Sequence, residues 1–262
     1  MATAQGDSGT PVTGERRGLC VYVHHPDAPG ARTVPPECVE TVRELGRHFE
    51  EVVVATDYTG RDFEDAGFRT IVLANDSYDA GFFYKALREL GVLREISQTG
   101  ATSHGSVAVF NDSVVPVAGL AEIVAWGRSS GLDMWGPIFC ENPSPHVQSY
   151  FLVFEPRAAA HLPAIFSIIR IETWHRIKNK NMLRAICVTE YELGTSQYMM
   201  AKGLRVGGQV RGRPETVYDA VEGAGIGCPV AKRKVLAAGP PSVRAALMAN
   251  PDRKQQELRD LG

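Results

Sequence analysis

The run Ser106 to Ser113, SVAVFNDS, constrains this chain more than any other stretch. It is β-branched and aromatic, and it stops abruptly at Asn111-Asp112-Ser113. A short apolar run with punctuation at its end reads as a strand of a parallel sheet, buried on both faces. Ligands of open α/β sheets sit just beyond the carboxyl ends of such strands. A carboxylate delivered there by a rigid strand can hold a metal–diphosphate or orient a sugar.

Three more runs end in the same way. Leu19 to Val23 stops at His24-His25-Pro26, Val52 to Ala55 at Thr56-Asp57, and Thr70 to Ala74 at Asn75-Asp76-Ser77. Between them lie segments with helical spacing, Glu37 to Phe49 and Phe82 to Leu93. The alternation predicts βαβ units, and polar endings at one edge predict a ligand cleft. Further on, the pattern predicts a helix over 120–126, a turn at Trp135-Gly136 and a strand over 149–154. A helix over 158–169 follows, with Pro163 as an alternative start, and then a helix over 191–202 closed by Gly203. Residues 1–17 are expected to be a disordered tail, 18–228 a single domain, and 229–262 a helical extension. That extension, with a charged helical segment over 252–261, is expected to be a solvated charged helix. The alternatives are that it covers the acceptor site, pairs with a second subunit in a homodimer, or lies on an anionic membrane surface through Lys232, Arg233 and Lys234.

Composition narrows the function classes. A net charge of -2 with the two signs interspersed argues against a nucleic-acid partner. No apolar run approaches the ~20 residues of a membrane span, and Met1 to Gly18 has no apolar core of an export signal. Five scattered cysteines without a CxxC pair fit reduced thiols, hence a cytoplasmic, at most membrane-peripheral, location. No GxGxxG or Walker loop is present.

Several constellations carry chemistry. Between a strand and a helix, Asn75, Asp76, Tyr78, Asp79 and Gly81 offer carboxylates, an aromatic ring and helix-start amides for a phosphate. Ser77 or Asp79 equally suits an N-cap. Lys85, further along that helix, would reach a diphosphate, and His24 ends the first strand. Asn111, Asp112 and Ser113 read as an Asx-turn or as a reduced Asp-x-Asp site, in which Asp112 would hold Mg²⁺ or Mn²⁺. His146, Gln148 and Tyr150 would share one strand face, and with Trp135 would suit a polyhydroxylated acceptor. Glu190 and Glu192, at a predicted helix start, are candidates for a general base.

With these residues in hand, the chain resembles the rhamnan synthesis F family of bacterial polysaccharide glycosyltransferases. The points of contact are CVYVHH at 20–25, NDSYDAGFFYKAL at 75–87, FNDSVVPVAGL at 110–120, MWG at 134–136, HVQSYFLVF at 146–154 and YELGTSQYMMAKGLRV at 191–206. The resemblance implies a GT-A-like, Rossmann-type mixed sheet flanked by helices. It also implies inverting transfer of a deoxysugar, typically rhamnose from dTDP-L-rhamnose, to a glycan, lipid-linked or small-molecule acceptor. Carried over, Asn75, Tyr78, Asp79 and Gly81 line the donor pocket and Asn111-Asp112-Ser113 takes the Asp-x-Asp position. Glu192 takes the base position, with Glu190 as second choice. The competing readings are a catalytically degenerate transferase-fold scaffold, or another nucleotide-dependent enzyme such as a methyltransferase.

Overall fold

Alternating apolar segments become a mixed sheet with helices on both faces. The computed structural model describes residues 18–26, 33–116, 119–213, 215–216 and 228–234, so the expected tail at 1–17 and helix at 252–261 lie outside it. The first half runs β1 (Leu19–His24), α1 (Pro36–His48), β2 (Glu51–Thr56), α2 (Asp62–Asp65), β3 (Arg69–Val72), α3 (Tyr78–Glu89), α4 (Val92–Thr99) and β4 (Val107–Asn111). β1 pairs in parallel with β2 and with β4, and β2 pairs in parallel with β3. The carboxyl ends of these strands therefore share one edge, as the sequence predicts.

The second half adds β5 (Val114–Pro116), α5 (Leu120–Ser129), β6 (Met134–Cys140), β7 (His146–Val147), β8 (Phe151–Phe154), α6 (Pro156–Ala159) and α7 (Leu162–Ile168). It closes with α8 (Lys180–Ile186), α9 (Gly194–Ala201), β9 (Val206–Gly212) and β10 (Val230–Lys232). β8 lies antiparallel to β4, and the sheet runs β3-β2-β1-β4-β8-β6-β7 with β9 alongside β6. β10 pairs antiparallel with β5 in a separate two-stranded ribbon.

The period of two in β1 divides the core. Leu19, Val21 and Val23 face a layer that includes Phe83 and Leu87 of α3 and Phe166 of α7. Cys20 and Tyr22 face Val42 and Leu45 of α1 and Ile123 of α5. Both faces are covered, so the strand is apolar throughout.

Several expectations are corrected. The predicted turn at Trp135-Gly136 lies inside β6, at its second and third residues. Gly136 is needed there because a Cβ would lie 2.4 Å from the Phe151 carbonyl oxygen and 2.6 Å from Val147 Cγ1. The predicted helix over 82–93 starts four residues earlier and ends at Glu89, and α4 begins after Gly91 at φ 78°. The segment 158–169 splits, and α7 starts at Leu162 with Pro163 in its first turn. Only 151–154 of the strand predicted over 149–154 pairs as β8. The helix predicted from 191 begins at Lys180, passes through a π-helical turn at Cys187–Leu193, and continues as α9. Gly203, at φ 73°, closes it as expected. Among the described residues no helix is long and apolar enough to cross a membrane.

Candidate functional site

At the shared edge, side chains from each strand end form one hydrogen-bonded chain. His25, just past β1, accepts or donates on both ring nitrogens: Nε2 lies 2.7 Å from Asp79 Oδ1 and Nδ1 lies 3.4 Å from Asp57 Oδ1. Asn75 Nδ2 donates to Asp57 Oδ2 at 3.0 Å. Asn111 Nδ2, at the end of β4, donates to Asp79 Oδ2 at 2.7 Å. Asp79 sits in the first turn of α3, where the helix dipole favours a carboxylate.

Charge decides the state of this chain. Burial alone would lower the His25 pKa, but the Asp79 hydrogen bond and the charges of Asp79, Asp112 and Asp57 outweigh it and raise it to about 9. His25 is therefore an imidazolium at neutral pH, donating to both carboxylates. Asp112 behaves oppositely: burial raises it to about 6, against the pull of Arg233, His25 and the His25 backbone N–H. That N–H donates to Asp112 Oδ2 at 3.1 Å, and Arg233 Nη2 donates to the same oxygen at 3.4 Å.

The residues around Asp112 do not fit Mg²⁺ or Mn²⁺. Its nearest prospective co-ligands are His24 and Cys38, their donor atoms and its own all within 4.8 Å of one another. Mg²⁺ and Mn²⁺ want a shell of oxygens, whereas a nitrogen–sulfur–oxygen set suits softer ions. The guanidinium of Arg233 also occupies this corner, donating to Cys38 Sγ at 3.7 Å as well as to Asp112. Arg233 thus pairs with the carboxylate that was expected to hold the divalent cation.

A second group lies beside the end of β4, where the Tyr150 carbonyl accepts the Asn111 N–H at 2.9 Å. Glu192 lies in the π-helical turn, a distortion frequent at functional sites. Its Oε2 accepts from the Ser149 backbone N–H at 2.9 Å and from the Ser149 hydroxyl at 2.6 Å. Its Oε1 lies 3.9 Å from His146 Nε2. His146 Nδ1 is 2.7 Å from the Ser144 carbonyl, so it carries the proton, and Nε2 accepts from Gln148 Nε2 at 3.0 Å. In that tautomer His146 does not donate to Oε1. Lys232 joins the two groups: its Nζ donates to Ser113 Oγ at 2.9 Å and stands 5.2 Å from the Tyr150 ring centroid. Burial lowers the Lys232 pKa, while the charges of Asp79, Glu192 and Asp112 oppose that shift.

The expected residues fall into two sets. Asn75, Asp79, Asn111, Asp112 and Ser113 lie at the edge, and Glu192 is held by Ser149 close to the end of β4. Others are placed differently. His24 is buried, its Nδ1 3.0 Å from Thr56 Oγ1, so it lies beneath the edge rather than open to a donor. Lys85 is spent on the loop before α3, donating to the Ala74 carbonyl at 3.0 Å and pairing with Asp76, so neither is poised for a diphosphate. Tyr78 adopts φ 53° and its hydroxyl donates to the Lys180 carbonyl at 3.2 Å, tying α3 to α8. Gly81 makes room for Ser77, whose Cβ would lie 2.0 Å from an added Cβ, not for a ligand.

The expected acceptor platform is not a surface. Trp135 is 1% exposed, its Nε1 donates to Glu155 Oε1 at 2.9 Å, and its ring packs on Phe151 and Trp126. His146, Gln148 and Tyr150 are buried and do not share one strand, because the chain turns between β7 and β8. His146 and Gln148 instead orient around Glu192. Glu190 is exposed, which leaves Glu192 as the held carboxylate. Sequence reading placed His25 and Asp57 at the strand endings without giving them a role and missed Ser149, and a solvated face was one of its readings for Lys232 and Arg233. The adjacent pair His24-His25 was the available signal for His25: in a strand, one of two neighbours points to the opposite side.

No family model matches the chain, and no curated protein matches it. Among solved structures, the chain is similar to glucosyl-3-phosphoglycerate synthase from Mycobacterium tuberculosis, in a complex with Mn²⁺, UDP and phosphoglyceric acid. The identity is 11%, the TM-score 0.31, and the match covers 59% of this chain. The chain spans 65% of the length of that enzyme.

Proposed function

We propose that this chain is a nucleotide-sugar-dependent glycosyltransferase of GT-A-like architecture, with residues 18–228 and β10 forming its catalytic unit. The observation that carries the reading is the held carboxylate of Glu192, set in a π-helical turn and tied to Ser149, next to the Tyr150 carbonyl that accepts the Asn111 N–H at the end of β4. A base must be fixed by its surroundings yet keep one oxygen available at about 3 Å from the attacking hydroxyl. Glu192 meets both demands, with Oε2 anchored to Ser149 and Oε1 left as acceptor.

In this reading Glu192 takes the acceptor hydroxyl proton as the oxygen attacks the anomeric carbon. The bond from that carbon to the diphosphate breaks, its electron pair leaves with the diphosphate oxygen, and the configuration inverts. The nucleotide diphosphate lies along Asn111-Asp112-Ser113. The family resemblance favours a dTDP-linked deoxysugar such as rhamnose, passed to a glycan, lipid-linked or small-molecule acceptor.

One observation favours a second reading, the catalytically degenerate scaffold. Asp57, His25, Asp79 and Asn111 satisfy one another without a ligand. Slow hydrolysis of the donor by water separates the two readings without knowledge of the acceptor. The wild-type chain is expected to release a nucleoside diphosphate from one of a panel of dTDP-, UDP- and GDP-sugars. Glu192→Gln, whose amide oxygen still accepts from Ser149, is expected to lower that rate about 10²–10⁴-fold with diphosphate affinity unchanged. Undiminished hydrolysis in the variant removes Glu192 from the mechanism, and no hydrolysis by the wild type favours the scaffold.

A further inference from the structure

We infer that Lys232 binds the diphosphate of the nucleotide donor, with Arg233 as the built-in counter-ion of Asp112, so that donor binding needs no divalent cation. This rests on the glycosyltransferase reading. An edge carrying Asp57, Asp79, Asp112 and Glu192 repels a diphosphate unless cations offset it. GT-A sites commonly meet that need with a metal, yet the donor atoms around Asp112 do not fit Mg²⁺ or Mn²⁺ and Arg233 already pairs with it.

The register of a short strand supplies the cations instead. β4 ends at Asn111, the chain turns through Asp112-Ser113, and β5 starts at Val114. β10 pairs with β5 so that Lys232 lies opposite Val114, and the Arg233 N–H donates to the Ser113 carbonyl at 3.0 Å. The ribbon is anchored by Cys228 and Val230, both buried in the layer that holds Tyr22 and Phe110. A slip of one residue would turn Lys232 to the other face of the ribbon, so the pairing fixes where its charge goes.

The two cations then divide the work. Arg233, only partly accessible, answers Asp112 and Cys38 from below. Lys232 reaches the Ser113 hydroxyl, within the electrostatic reach of Asp79, Glu192 and Asp112, where donor and base must meet. A lysine ammonium is a compact charge with three donors, suited to bridging two phosphates. Ser113 passes its own proton toward Asn111 Oδ1, which leaves its oxygen as the acceptor for Lys232.

Calorimetric titration of the full chain with dTDP, UDP and inorganic pyrophosphate, each with EDTA or with Mn²⁺, tests this. The expected result is one affinity in both conditions, at least tenfold weaker in Lys232→Met and Lys232→Gln and largely kept in Lys232→Arg. Thermal unfolding without ligand checks that each variant is folded. Binding by the wild type only with Mn²⁺, or wild-type affinity in folded Lys232→Met, overturns the inference and leaves the transferase reading standing. No binding of any diphosphate in either condition overturns both.

Discussion

The charge on His25 is the most exposed consequence of the site geometry, and it makes stability depend on pH in a set direction. Its pKa rises from 6.5 to about 9 against the cost of its own burial, through the Asp79 hydrogen bond and the charges of Asp79, Asp112 and Asp57. Such a shift is worth about 3 kcal/mol of differential interaction, by 1.36 kcal/mol per tenfold change in proton affinity. Because the folded value lies above the unfolded one, this stabilisation is complete below about pH 6.5 and is lost as pH rises through about 9. The lowered pKa of Lys232 and the raised pKa of the buried cysteines also make stability depend on alkaline pH, so the raw stability curve mixes several groups. The difference between wild type and His25→Gln isolates the one of interest. That difference is expected to shrink by about 3 kcal/mol between about pH 6 and pH 10, or roughly 6–12 °C in melting temperature for a chain of this size. An NMR titration of ring-labelled histidine gives the same answer directly: in Asp79→Asn the His25 resonance titrates well below its wild-type midpoint. A wild-type His25 titrating near 6.5, or a stability difference flat across the range, refutes the reasoning.

Two further outcomes follow from packing and from the second group. Trp135→Ala is expected to cost about 3–5 kcal/mol in denaturant unfolding, as removal of a fully buried aromatic does, while Trp135→Phe stays folded and binds diphosphate like wild type. Loss of diphosphate binding in folded Trp135→Phe would restore the tryptophan to the site. Ser149→Ala removes one of two anchors on Glu192 Oε2 and is expected to lower the rate of donor hydrolysis about tenfold without altering diphosphate affinity, an unchanged rate showing that the anchor is dispensable.

The fold was legible where burial on both faces forces a continuous apolar run: β1, β2 and β4 are each found within a residue or so of their expected ends. Legibility failed where a strand's own composition is ambiguous. β6 reads Met134-Trp135-Gly136-Pro137, and glycine and proline signal a turn locally. The glycine is instead a packing requirement set by Phe151 and Val147, which no local pattern contains. The same held for the site. Asp79, Asp112 and Glu192 announced themselves as carboxylates at element ends, but the sequence put Lys85 at the diphosphate and Lys232 in a charged extension. Both are lysines near predicted helices, and only the pairing of β10 with β5 brings Lys232 to Ser113 at the end of β4, while Lys85 fastens a loop.

The arrangement of charge is itself an argument for a ligand. Buried or half-buried ionic networks contribute little net stability, because desolvation consumes most of what the pairing returns. An edge needing only to fold would do as well with apolar side chains at Asp57, Asp79 and Asp112. Asp112 is strained in this sense, since burial raises its proton affinity even with Arg233 and the His25 amide against it. The carboxylates are held apart by His25 and Arg233, while Lys232 donates to the Ser113 hydroxyl under the influence of the charges of Asp79, Glu192 and Asp112. On the inference drawn for Lys232, a diphosphate is the ligand such a network would be kept for, since its charge would meet the ammonium beside Ser113.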